Sequence, residues 1–449
     1  MKQKFRALIA CLLTVVIFAS SFSAGAAFAP EQAINSEAAY LVNLDTGMVM
    51  YKKNENKKLY PASLTKIMTA ILVLESGKDL DKTVVTAPSY IFDDLWKLDA
   101  STAGIMAGEQ ITLRDLLYAL MLPSACEAGS ILADYFGGGS IPKFVEQMNA
   151  RAKELGCKNT HFVNAHGLHN PDQQTTAYDM YLITKHAMTL TPFMEIACTP
   201  KYTMQATNKH PKTRNIYHTN EILRTTSSYS KYYYPYMKGI KTGTTDESGK
   251  NLVSTASKNG YNYLLITMGA PLKYSNGKPV GDNGSYIDAI NLYDWAFDNF
   301  KMKTVITKTD TVADVKVTQS WDRDHVLLVP EKDVTALLPS MVDPSSIQKD
   351  LSEVPKSIQA PVKKGQVICQ IKLKLADEQF ETVNLVASED AGRSTILYVW
   401  DGVKGFFSSL WFKLIVGFLV VLLAAYFFFM VMYNKKRQKN KVVRRKRKF

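Results

Sequence analysis

Cysteine is scarce in this chain: five residues in 449, with no Cys-x-x-Cys pair and no regular spacing. That scarcity gives neither a zinc site nor a framework of several disulfides. A single bridge among Cys126, Cys157, Cys198 and Cys369 stays open. No segment repeats at a fixed period, which excludes a solenoid or propeller. Acid is absent from the closing stretch NKKRQKNKVVRRKRKF, which holds ten Lys/Arg. Those ten, with Lys2, Lys4 and Arg6, account for the whole formal charge of +13. The body between the ends is therefore neutral, and no nucleic-acid partner is expected.

Charge is also missing from LIVGFLVVLLAAYFFFMVMY, the twenty residues Leu414–Tyr433. That length crosses a hydrocarbon core of about 30 Å at the helical rise. The basic stretch after it marks the cytoplasmic side and can touch anionic lipid. Trp400, Trp411 and Phe412 fall where an outer interfacial belt is expected, and Lys413 can snorkel outward. At the other end, MKQKFR precedes the apolar run ALIACLLTVVIFA and a small-residue stretch, the pattern of a secretory signal cleaved after Ala24-Gly25-Ala26. Leu8-Ile9-Ala10-Cys11 imitates a lipidation box, but the apolar run continues past Cys11 and that residue is read as part of it. The expectation is a single-pass cell-membrane protein with its body outside the cell and its C-terminus in the cytoplasm.

Between the ends, AAYLVNLDTGMVMYKKN predicts two strands about the turn Asp45-Thr46-Gly47. LYPASLTKIMTAILVLESG predicts a buried helix stopped at Gly77, with Ile67, Ile71 and Leu74 on its apolar face. ITLRDLLYALMLPSACEAGSILADYFG predicts a helix, a break at Pro123 and a second helix, and PKFVEQMNARAKELG is amphipathic. Residues 159–179 are loop-like. YMKGIKTGTTDESGKNLVSTASKNGYNYLLITMGA predicts three antiparallel strands, and INLYDWAFDNF a closing helix. Later, GQVICQIKLKLADEQFETVNLVA alternates apolar and polar, with Cys369 beside Val367, Ile371 and Leu373 on a strand's core side. The expected order is a signal over 1–26, an α+β domain over 30–300 and a small all-β domain over 303–390. A juxtamembrane segment over 391–413, a transmembrane helix over 414–433 and a tail over 434–449 follow.

Ser63-Leu64-Thr65-Lys66 is the first stretch with chemical content. Helical residues three apart share a face, so the lysine amine can reach the serine hydroxyl. A serine nucleophile needs a base near neutral pH, and a lysine serves if burial lowers its pKa. Two solvated polar residues are the bland alternative. Gly239-Ile240-Lys241-Thr242-Gly243-Thr244 offers a cation, a hydroxyl and a closely approachable backbone, a group suited to a carboxylate. An ordinary strand end is its bland alternative.

With Ser124-Ala125-Cys126 between them, these stretches resemble the three motifs of penicillin-binding proteins and serine β-lactamases. YPASLTKIMTA, ELGCKNTHFVNAHGLH and GIKTGTTDESGKNLVSTA are similar to segments of the low-molecular-weight penicillin-binding proteins, the serine D-alanyl-D-alanine carboxypeptidases of peptidase family S11. The likeness runs over roughly residues 35–300, and the later β-rich stretch and C-terminal membrane attachment also resemble that family. It implies a serine β-lactamase/DD-peptidase-like α+β domain, an antiparallel sheet flanked by helices. It further implies Ser63 as acylated nucleophile, Lys66 as its proton acceptor and Ser124 as proton relay to the leaving amine. Lys241, Thr242, Gly243 and Thr244 would bind substrate, with the N–H groups of Ser63 and Thr244 as oxyanion hole. The implied substrate is the D-Ala-D-Ala end of peptidoglycan stem peptides, with β-lactams as inhibitors and no cofactor or metal. His161, His166 and His169 then belong to a structural loop rather than a zinc site. The Tyr-rich SSYSKYYYPYMKG is read as half-buried connection rather than a glycan-stacking surface.

Cys126 departs from that pattern, because the family carries Asn at this substrate-binding position. An amide offers one acceptor and two donors, whereas a thiol is weak in both roles. Losing one charge-assisted hydrogen bond costs about 1.5–3 kcal/mol, or about 10- to 100-fold in rate. A working carboxypeptidase is the leading expectation. A slowly turning wall-binding module and a β-lactamase remain as alternatives.

Overall fold

The computed structural model describes residues 30–95, 100–223, 231–375 and 378–446. The predicted signal with Cys11, residues 227–230 of the Tyr-rich stretch and residues 447–449 of the tail lie outside the described residues. Two compact units divide the chain. One runs to Lys301 and includes Leu337–Met341; the other takes Met302–Ala336 and everything from Val342 onward.

The first unit is built on one five-stranded antiparallel sheet. Its strands are β1 (Ala38–Asn43), β2 (Val49–Lys53), β3 (Met237–Thr245), β4 (Gly249–Lys258) and β5 (Tyr261–Ala270), in spatial order β2-β1-β5-β4-β3. Alternate residues of β1 enter different cores: Ala38, Tyr40 and Val42 join one cluster, Ala39 and Leu41 the other. The β5 strand divides in the same way, with Leu264, Ile266 and Met268 against Tyr263 and Leu265. A strand buried on both faces needs an unbroken apolar run, which is how AAYLV and YLLITM read.

One face carries the helices α1 (Lys66–Glu75), α2 (Leu113–Met121), α3 (Cys126–Phe136), α4 (Ile141–Glu154), α5 (Ala177–Ala187) and α6 (Thr191–Ala197). The other carries α7 (Gly284–Asn299). Lys66, Ile67, Met68, Thr69, Ala70, Ile71 and Val73 of α1 are all buried, as for a helix enclosed by neighbours on every side. The turn ahead of it, Ala62–Thr65, is a 3-10 turn rather than the helix read from the sequence. Residues 159–176 are irregular, and the expected loop stops short of 179: helix α5, which the sequence reading did not include, starts at Ala177, where Thr176 caps it by accepting from the Asp179 N–H.

In the second unit a six-stranded sheet contains β6 (Ala313–Thr318), β7 (His325–Pro330), β8 (Gln348–Asp350), β9 (Ser357–Gln359), β10 (Val367–Leu375) and β11 (Glu378–Ala387), in order β8-β10-β11-β7-β6-β9. Ile371 and Leu373 are buried as expected, but Val367 is 49% exposed. A register shift between Val367 and Cys369 breaks the alternation there, and Cys369 ends half-buried. Two helices follow, α8 (Thr395–Ser408) and α9 (Leu410–Lys446). Within α9, Leu410–Arg437 is long and apolar enough to cross a membrane, and none of its apolar window is buried. Ile396, Val399, Trp400, Val403, Phe406 and Phe407 of α8 are exposed at helical spacing, forming one apolar stripe.

Asp288 on α7 secures the start of the first unit. Its buried carboxylate accepts the N–H and hydroxyl of Ser36, each at 2.6 Å, and the N–H and amide of Asn35 at 2.9 and 2.8 Å. Asp288→Ala strands those donors and is expected to cost about 2–4 kcal/mol. The urea midpoint of this unit's unfolding measures it; an unchanged midpoint would contradict the account.

Candidate active site

Ser63 sits in the 3-10 turn and Lys66 at the first residue of α1, so both stand at one end of a buried helix. Lys66 Nζ donates to Ser63 Oγ at 3.0 Å, to the His166 carbonyl at 2.5 Å and to Cys126 Sγ at 3.6 Å. Burial pushes the amine below the usual lysine range, while Cys126 and the Glu127 carboxylate pull it back up. The arrangement holds an amine in hydrogen-bonding reach of a hydroxyl and makes its ammonium easier to deprotonate than that of an exposed lysine.

Two glycines close around the serine backbone. Gly167 has φ +90°, and a Cβ there would lie 1.9 Å from the Ala62 carbonyl oxygen and 2.9 Å from the Ser63 nitrogen. A Cβ on Gly243 would lie 3.0 Å from the Pro61 oxygen and 3.1 Å from the Ser63 nitrogen. Both positions let main chain approach main chain as closely as two backbones can. Asn251 on β4 ties the turn down, donating to the Tyr60 and Pro61 carbonyls at 3.0 and 3.2 Å. Ala62, at φ +47°, takes the left-handed conformation that this clamp requires.

Ser124 comes from the break between α2 and α3, and Cys126 is the first residue of α3. Ser124 adopts φ +65°, which costs about 1–3 kcal/mol for a residue with a side chain. Its hydroxyl is buried and has no hydrogen-bond partner among the described residues. Cys126 is 2% exposed and free, its N–H donating to Ser101 O at 2.8 Å. On the facing edge, Lys241 of β3 is fully buried and donates to the Thr242 carbonyl at 3.0 Å. Burial first, and the Lys66 charge second, hold Lys241 well below the ordinary lysine range. The hydroxyls of Thr242 and Thr219 lie 2.6 Å apart. Ser63, Ser124, Thr219, Thr242 and Thr244 line one polar cleft of about 230 Å³.

The structure thus gathers the predicted serine, lysine and threonine residues around one cleft, with Cys126 beneath it against Lys66. It scatters the histidines: His161 hydrogen-bonds the Asp172 carbonyl, and His169 packs edge-on against Tyr60. Only His166 touches the site, through its carbonyl on Lys66. Glu127, adjacent to Cys126 in the chain, instead accepts from the Thr102 hydroxyl at 2.6 Å and the Ala103 N–H at 2.7 Å. Sequence reasoning missed Gly167, Asn251 and Thr219; of these only Gly167 carried a signal, as a glycine inside the His/Asn-rich loop.

A serine in hydrogen-bonding reach of a buried lysine, beside a second serine and a Lys-Thr-Gly strand, marks the serine acyl-transfer class. The sequence profile of D-alanyl-D-alanine carboxypeptidase, peptidase S11, matches residues 24–272, and that of the penicillin-binding protein 5 C-terminal domain matches residues 300–393. The chain belongs to the peptidase S11 family. It is 28% identical over 363 residues to D-alanyl-D-alanine carboxypeptidase DacF of Bacillus subtilis, covering 80% of this chain and 87% of that one. Penicillin-binding protein 5 of Haemophilus influenzae superposes with a TM-score of 0.59 at 27% identity, over 81% of this chain and all of that one. A Streptomyces DD-transpeptidase superposes with a TM-score of 0.54 at 30% identity, over 60% of this chain and all of that one. Solved variants of the Streptomyces enzyme replace a serine by alanine and, two positions on, a cysteine by alanine or asparagine. That Ser-x-Cys spacing is also the spacing of Ser124 and Cys126.

Burial and the nearby Lys66 push the His166 imidazole down to about 3. Its folded value lies below the unfolded one, so it destabilises the fold as pH falls from about 6.5, where the unfolded chain begins to bind the proton. NMR of the ring is expected to show a neutral imidazole down to about pH 3. A midpoint near 6.5 would contradict this environment.

Proposed function

We propose that this protein is a serine-type D-Ala-D-Ala carboxypeptidase that trims the terminal D-alanine from peptidoglycan stem peptides. The observation that carries the reading is the 3.0 Å contact between the buried Lys66 amine and Ser63 Oγ. Ser63 Oγ attacks the penultimate carbonyl as its proton passes to Lys66. The N–H groups of Ser63 and Thr244 then hold the oxyanion. The amide C–N bond breaks as Ser124, whose buried hydroxyl has no described partner of its own, hands a proton to the departing amine and takes in its place the one that Lys66 received from Ser63. Water then hydrolyses the ester on Ser63. The terminal carboxylate rests on Thr242 with Lys241, and its negative charge favours the protonated form of that lysine. A β-lactam enters the same cleft and acylates the same serine.

Cys126 stands where a stronger hydrogen-bonding partner is expected, yet a relative named as a D-alanyl-D-alanine carboxypeptidase and a DD-transpeptidase has a cysteine at the same distance from a serine. This supports turnover over a wall-binding module. Glu127 weighs against a β-lactamase, which needs a carboxylate base in the cleft, because Thr102 and Ala103 hold its Oε1 and it is not among the residues lining the cleft. In the same reading the segment boundaries are those expected from the sequence. Leu414–Tyr433 crosses the cell membrane, the basic tail stays inside, and the catalytic domain faces the wall.

Release of D-alanine from a pentapeptide ending in D-Ala-D-Ala tests this. Ser63→Ala is expected to abolish release, and Cys126→Asn to equal or exceed the parent rate. No release by the parent protein would overturn the carboxypeptidase reading, and a faster turnover of penicillin than of peptide would replace it with a β-lactamase.

A further inference from the structure

The cleft wall carries a charge that the reaction above does not use. Among its lining residues, Lys250 is the one with a charged side chain; the rest of that side is neutral, with Asn283, Ser285 and Tyr286. Lys250 lies directly across from Thr244 in the β3–β4 register. Residues opposite each other in an antiparallel pair project to the same face, so both side chains border the cavity. Among the described residues the Lys250 ammonium has neither a hydrogen bond nor an ion pair. Glu247, three residues away in the chain, lies 3.7 Å from His169 rather than against this ammonium.

The other cation of the site is differently placed. Lys241 is fully buried, already donates to the Thr242 carbonyl, and is held toward its neutral form by burial and by Lys66. A carboxylate entering the empty cleft therefore meets Lys250 as its ready countercharge. At about 230 Å³ the cavity takes the end of a peptide rather than a whole stem, so the carboxylate it admits is the terminal one.

We propose that Lys250 is a substrate-recognising residue that pairs with the C-terminal carboxylate of the peptide, and with the carboxylate of a penicillin, in the ground state of binding. This rests on the carboxypeptidase reading for the peptide. The penicillin arm reads Lys250 independently of peptide turnover. The ammonium touches no reacting atom, so its removal weakens binding rather than chemistry.

The test uses the full-length protein. Lys250→Ala is expected to raise KM for a D-Ala-D-Ala peptide about 10- to 100-fold with kcat within about 3-fold, and Lys250→Arg to restore most of the loss. KM of the parent protein should climb with NaCl, and that of Lys250→Ala should climb less steeply, since Lys241 remains. The rate constant for acylation by a labelled penicillin should show the same two patterns. Unchanged KM and penicillin acylation in Lys250→Ala, a fall in kcat alone, or a salt dependence undiminished by the substitution would overturn the proposal. A parent protein that is acylated by penicillin but releases no D-alanine would instead defeat the carboxypeptidase reading, and the acylation data would still decide the role of Lys250.

Discussion

The site depends on one buried amine. Lys66 reaches Ser63 only because a 3-10 turn runs directly into a helix enclosed on every side, which fixes the three-residue step between them. Burial costs the ammonium its hydration and is offset only in part by Cys126, Glu127 and the His166 carbonyl. The helix layer, the sheet edge and the loop before α5 all meet at that amine. A change that opens any of them to water restores the ordinary lysine and, on the proposed reading, removes the base.

Close backbone approach is the second requirement, and it explains the strained residues. Gly167 and Gly243 let two other segments touch the Ser63 main chain, and Ala62 accepts a left-handed φ between them. Ser124 adopts the same conformation at the α2–α3 break, where its hydroxyl stays without a described partner inside a polar cleft. Strain of this kind persists only where the surroundings over-determine it. The cleft is thus preorganised in its backbone, and Cys126 enters as a packed thiol beneath it rather than as a reactive group in the open.

Much of this was legible in the sequence. The Ser63–Lys66 step, the Ser124–Cys126 pair and the Lys241–Thr244 strand are local patterns, and local patterns keep their geometry when the chain folds. The sheet was legible because β1 and β5 read as apolar runs, and the apolar C-terminal helix because charge is absent from Leu414–Tyr433. Asn251 and Thr219 were not, since each acts through a residue far away in the chain: Asn251 through Pro61, Thr219 through Thr242. Lys250 had no local signal, and only the register places it across from Thr244. Val367 escaped for a different reason, because a register shift breaks the alternation on which its burial was argued. Helix α5 was missed within a stretch mixing β-branched and aromatic residues, where tertiary packing outweighs weak helix propensity.

The account stands or falls on which atom is acylated. Peptide-mapped mass spectrometry after brief exposure of the protein to a β-lactam decides it. One adduct, carrying the full mass of the drug on the peptide that contains Ser63, is the expected result. An adduct on Cys126, or no covalent adduct at all, would contradict the assignment of Ser63 and Lys66 as nucleophile and base.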